Sequence, residues 1–111
     1  MATFSSHLLN SINGTHAGGV KIIIYQIKPN GDKKKYFESE TDNGGRILKE
    51  FNLTEEDCLC DYEMLCKTGN YFSDERIVSE IIVKFKMSDP NKKYHLPIII
   101  APNGYSIWWS K

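Results

Sequence analysis

The chain of 111 residues lacks an excess of charge: 14 Lys and Arg balance 14 Asp and Glu. Nucleic-acid binding draws on counterion release and needs a basic excess or patch, so this balance argues against that partner. The densest basic run, Lys33-Lys34-Lys35, follows Asn30-Gly31-Asp32 and reads as a solvated hairpin loop. No apolar run approaches the roughly 20 residues of a membrane span, so no membrane association is expected. Met1-Ala2-Thr3-Phe4-Ser5 has no basic stretch ahead of an apolar one, and Ser110-Lys111 lacks the Leu of a peroxisomal address. The cytoplasm is the expected location.

Cysteine is scarce and odd in number. In a chain without a secretion signal, Cys58, Cys60 and Cys66 are not expected to form a disulfide framework. They offer three of the four ligands that a structural zinc needs, and not in paired C-x-x-C or His spacing. Buried or half-buried thiols are the expectation, with no metal. Also missing are a serine nucleophile elbow, a P-loop and a G-x-G-x-x-G turn.

Strand signals fill what remains. Residues 20–27 (V-K-I-I-I-Y-Q-I) are β-branched and aromatic, and Pro29-Asn30-Gly31-Asp32 closes them with a turn. Residues 35–41 alternate, Asp42-Asn43-Gly44-Gly45 is a second turn, and Arg46-Ile47-Leu48 opens the next strand. Further strands are predicted over 59–66, 77–87 and 94–100, with a short helix over 68–75. Short strands at regular spacing in one domain, residues 1–111, mean an all-β sandwich or barrel. A chain this long buries roughly two thirds of its unfolded surface, enough for a core of its own.

His7 and His95 both fall on predicted strands. Around His95, Tyr94, Leu96, Ile98 and Ile100 form an apolar face that should be core. His95, Pro97, Ile99 and Ala101 share the other face, and Pro97 suggests an edge or an interrupted ladder. An apolar second face suggests that another subunit covers it. From the pattern alone, a histidine on an ordinary oligomer surface is the plainer reading of His95. His16 lies in a loop and receives no role.

Four segments carry a resemblance. Phe4-Ser5-Ser6-His7-Leu8-Leu9-Asn10, followed by Gly14-x-x-Ala17-x-Gly19-Val20, resembles the N-terminal signature of the transthyretin-like family, in particular its 5-hydroxyisourate hydrolases. Thr41-Asp42-Asn43-Gly44-Gly45-Arg46 is similar to that family's T-x-x-D-G-R turn, and Thr68-Gly69-Asn70-Tyr71-Phe72 to its T-G-x-Y-F segment. Residues 94–106 (Y-H-L-P-I-I-I-A-P-N-G-Y-S) resemble its Y-H-[VIL]-P-L-L-L-S-P-x-x-Y-S. The segments run in the family's order along nearly the whole chain.

The resemblance implies a transthyretin-like, or prealbumin-like, β-sandwich of two four-stranded antiparallel sheets with one short helix. It implies a homotetramer with active sites in the channel between dimers. It implies ring-opening hydrolysis of 5-hydroxyisourate to 2-oxo-4-hydroxy-4-carboxy-5-ureidoimidazoline in urate and purine degradation, with no metal or organic cofactor. The family's two histidines map onto His7 and His95, and its arginine onto Arg46.

The chain departs from the pattern at its end. The hydrolases finish Y-R-G-S, where this chain has Trp108-Trp109-Ser110-Lys111. Those four residues, with Tyr105, are the candidate substrate contacts. Gly44 also stands where the turn has Asp, and His16 where Pro is usual. The changed tail leaves three readings: the same hydrolase with a remodelled pocket wall, a hydrolase of a related heterocycle, or a binding protein without catalysis. The set His7, Arg46 and His95 favours hydrolysis, since a pure carrier has no need of it.

Overall fold

The computed structural model describes residues 1–72 and 77–111. Eight strands follow one another: β1 (Ala2–Asn10), β2 (Lys21–Ile27), β3 (Lys33–Glu40), β4 (Arg46–Phe51), β5 (Asp61–Lys67), β6 (Ile81–Lys86), β7 (Lys93–Ala101) and β8 (Gly104–Ile107). They form two four-stranded sheets, ordered β4-β1-β7-β8 and β3-β2-β5-β6, the sandwich expected from the sequence. Neighbours run antiparallel except β1 and β7, which are parallel.

The core sits between the sheets and follows the two-residue side-chain period of the strands. On β1, Ala2, Phe4, Ser6, Leu8 and Asn10 are buried, while Thr3, Ser5, His7 and Leu9 between them turn to the other face. Phe4 stacks on Phe85 of β6 with ring centroids 5.0 Å apart, which ties one sheet to the other. Burial of a side chain of this size is worth about 1.5–3 kcal/mol, so the register of β1 is strongly set. The Ser6 hydroxyl donates to the Leu96 carbonyl at 2.7 Å, and Gln26 donates to Tyr62 and Asp57, so these buried polar groups are satisfied.

Local features differ from the sequence expectation: Lys33-Lys34-Lys35, expected in a hairpin loop, open β3, and the strand expected over 77–87 spans Ile81–Lys86. The strand expected from residue 59 begins at Asp61, because Asp57–Leu59 forms a 3-10 turn. The Asp57 carboxylate accepts the Thr54 N–H, and the Thr54 hydroxyl accepts the Asp57 N–H, a local pairing that competes with a strand. Of the helix expected over 68–75, Thr68–Phe72 forms turns instead, and residues 73–75 lie outside the described residues. Pro97, expected at an edge or an interrupted ladder, is buried within β7, which has a neighbouring strand on each side, and it marks the interrupted ladder. The β8 ladder stops at Ile98–Ile107 and resumes only as the isolated bridge His95–Ser110.

Cys58, Cys60 and Cys66 are free thiols, half-buried, buried and buried. Burial pushes the Cys66 thiol up to about 12, so it packs as a protonated apolar group.

The turn before β4 is built by Asp42. Its side chain accepts the N–H groups of Gly44 and Arg46 at 2.9 and 3.0 Å, and its carbonyl accepts the Gly45 N–H at 2.9 Å. Gly45 has φ +74°, and a Cβ there would collide with the Leu8 carbonyl oxygen and lie 3.0 Å from the Ala17 nitrogen. Gly31 has φ +94° but open space around it. Gly45→Ala is therefore expected to cost about 2 kcal/mol or more, against about 1 kcal/mol for Gly31→Ala, where only the backbone conformation is strained. Thermal unfolding of the two variants checks this; equal losses would mean that the turn does not press on β1.

Candidate active site

The outer face of the β4-β1-β7-β8 sheet gathers the polar residues that the sequence singled out. His7 on β1 lies opposite Arg46, the first residue of β4, and Ser5 lies opposite His95 on β7. Residues directly paired across a ladder point to the same side of a sheet. His7, Arg46 and His95 therefore share one face, brought together by register alone.

Each imidazole has a fixed partner. The Ser5 hydroxyl is 2.7 Å from His95 Nδ1, which anchors that ring and leaves its Nε2 on the outward side. His7 Nε2 is 2.8 Å from His16 Nδ1, and the two rings stack with centroids 4.9 Å apart. Sequence reasoning gave His16 no role and did not single out Ser5. The alternation that puts His7 on the outer face puts Ser5 there too, so Ser5 was within reach of the pattern. His16 is carried in by a loop: its backbone bridges Leu9, and the Ala17 N–H donates to the Leu8 carbonyl at 2.9 Å.

The electrostatics are cationic. Partial burial lowers the His7 pKa below its ordinary value, and the Arg46 guanidinium, His16 and His95 lower it further. A hydrogen bond to the Gly44 backbone opposes them. His7 is thereby held neutral near pH 7, with a permanent cation beside it. A neutral imidazole accepts a proton, and a guanidinium holds developing negative charge on a carbonyl oxygen. Together they provide the two functions that hydrolysis of a cyclic amide needs.

The tail residues divide between the two faces. Trp108, whose N–H reaches the Pro97 carbonyl at 3.4 Å, and Ser110, which bridges His95, extend β8 along the outer face. Tyr105 pairs with Ile100, and so lies on the inner side of the sheet. Trp109 also turns inward and stacks on Tyr94 at 6.2 Å. The Lys111 ammonium lies 4.9 Å from the Trp109 ring centroid. Trp109 lines a separate cavity of about 300 Å³ with Phe85, Tyr94 and Leu96, away from His7 and His95.

Known proteins resemble this chain in sequence and in fold. The 5-hydroxyisourate hydrolase of Salmonella dublin is 34% identical over 109 residues, covering 94% of this chain and 77% of its own. The structure of Klebsiella pneumoniae 5-hydroxyisourate hydrolase superposes with a TM-score of 0.75 at 25% identity, covering 98% of this chain and 99% of that one. Transthyretin from Sparus aurata shares the fold, with a TM-score of 0.80 at 21% identity over 96% of this chain and 95% of its own. Residues 4–109 match the HIUase/Transthyretin family, and the chain belongs to that family.

Proposed function

We propose that this protein hydrolyses 5-hydroxyisourate, opening its six-membered ring in urate breakdown. The observation that carries the reading is the meeting of His7, Arg46 and His95 on one sheet face, in a chain similar over most of its length to enzymes of that name. No metal or organic cofactor enters the scheme. His7, kept neutral, serves as the base on which the proton of water comes to rest. His95, steadied by Ser5, orients that water through its outward Nε2. Arg46 holds the substrate's carbonyl groups and stabilises the oxyanion as the carbon becomes tetrahedral. The leaving nitrogen recovers the proton when the C–N bond breaks.

Trp108 and Ser110 form the wall of this site next to His95, so the indole can lie against a flat heterocycle. Trp109, Lys111 and Tyr105 act from the other side of the sheet, by shaping the tail rather than by touching the ring.

The outer face also exposes large apolar side chains: Leu48 at 67% and Trp108 at 45%. A second copy of the chain covering this face would remove them from water and close the site, in keeping with a homotetramer whose sites lie between dimers. Such a protein works as a soluble cytoplasmic enzyme. Among the described residues no helix is long and apolar enough to cross a membrane.

The direct test generates 5-hydroxyisourate from urate with urate oxidase and follows its ultraviolet decay. The protein at micromolar concentration should accelerate the decay. His7→Asn and His95→Asn should each reduce kcat by about 100-fold or more, the usual contribution of a positioned acid or base. No acceleration by the wild type would favour a transthyretin-like binding protein instead.

The pH dependence follows from the sign of the His7 shift. The base must be neutral, so activity falls as pH drops through the His7 pKa, and that fall should lie below pH 6.5. Arg46→Gln removes a cation that disfavours protonation and should raise the His7 pKa. Imidazole NMR titration reads both values; an unchanged His7 curve in Arg46→Gln would show that the guanidinium does not act on it.

A further inference from the structure

His16 is unused by the scheme above, yet it contacts the proposed base directly, with Nδ1 2.8 Å from His7 Nε2. Two facing imidazole nitrogens at that distance share one proton, because one must donate and the other accept. The Gly44 backbone raises the His7 pKa, as a carbonyl accepting a hydrogen bond from a ring N–H does. Since Nε2 faces His16, that bond uses His7 Nδ1–H. In the neutral pair His7 Nε2 is then the acceptor, and His16 donates from Nδ1. The lone pair left at the outer end of the pair belongs to His16 Nε2, on an exposed side chain.

The surroundings suit a proton carrier. Arg46 faces the pair from β4 and His95 from β7, while Asp42, the carboxylate of the adjoining turn, accepts the N–H groups of Gly44 and Arg46. Gly45 makes the approach possible, since a Cβ there would stand 3.2 Å from His16 Cβ.

We propose that His16 is the outer member of a His7–His16 relay and is the group that meets the attacking water. This rests on the hydrolase reading. As the water oxygen bonds to the substrate carbonyl carbon, its proton passes to His16 Nε2, and the His16 Nδ1 proton passes to His7 Nε2. When the C–N bond breaks, the leaving nitrogen takes a proton from His16 Nε2, and His7 Nε2 returns its proton to His16 Nδ1. Both rings end neutral, and water has been added across the bond. Arg46 makes the cation on His7 short-lived, which favours that return.

Two readouts test the relay in the full chain. In imidazole NMR titration, His7 should report the two steps of a coupled pair, and in His16→Asn it should show a single step. Independent single-step curves, with His7 unmoved by His16→Asn, would overturn the relay whether or not the protein is a hydrolase. In kinetics, His16→Asn should lower kcat by about 100-fold with KM nearly unchanged, and His7→Asn/His16→Asn should be no slower than either single variant. Wild-type kcat in His16→Asn, or multiplying losses in the double variant, would contradict it. His16→Gln serves the same purpose should the Asn variant fold poorly. Absence of hydrolysis by the wild type counts against the hydrolase reading alone, and the titration still judges the pair.

Discussion

The two-residue period of β1 decides where the rest of the molecule's chemistry lies. Phe4 and Leu8 are fixed inward by the core, so Ser5 and His7 are fixed outward. A slip of one residue would drive His7 into the core and Phe4 into water, exchanging a strongly favourable burial for an unfavourable one. Because β1 lies between β4 and β7, the same constraint aligns Arg46 on one side and His95 on the other. Three residues far apart in sequence thus meet through ladder pairing, with the Asp42 turn setting where β4 begins.

The face they make is poor in negative charge. Arg46 and three imidazoles adjoin one another, and partial burial, with the repulsion of these cations, lowers the His7 pKa. That arrangement suits a substrate rich in carbonyl groups that gains negative charge as it reacts. It suits a cationic ligand badly. The inward turn of Trp109 gives the chain a second concave feature, apolar and flanked by lysines, on the opposite side of the sheet.

Much of this was legible in the sequence. The alternation in β7 marked Tyr94, Ile98 and Ile100 as core, and the glycines after Asp42 marked the turn that delivers Arg46. What escaped was set by contacts without a period. The 3-10 turn at Asp57–Leu59 comes from side chains bonding to local backbone, which apolar patterning does not register. His16 has no strand period to place it, and only the folding of its loop against Leu8 and Leu9 brings it to His7. The split of Trp108 from Trp109 follows from the β7–β8 register, which the broken ladder at Pro97 concealed.

The central claim is that the outer face around His7, Arg46 and His95 is where the heterocycle binds. A crystal structure of the protein soaked with urate, a stable oxopurine, tests it most directly. The account predicts the ring over Arg46 and beside Trp108, within hydrogen-bond reach of His16 or His95. Urate found instead against Trp109, Tyr94 and Phe85, with the histidine face empty, would contradict it.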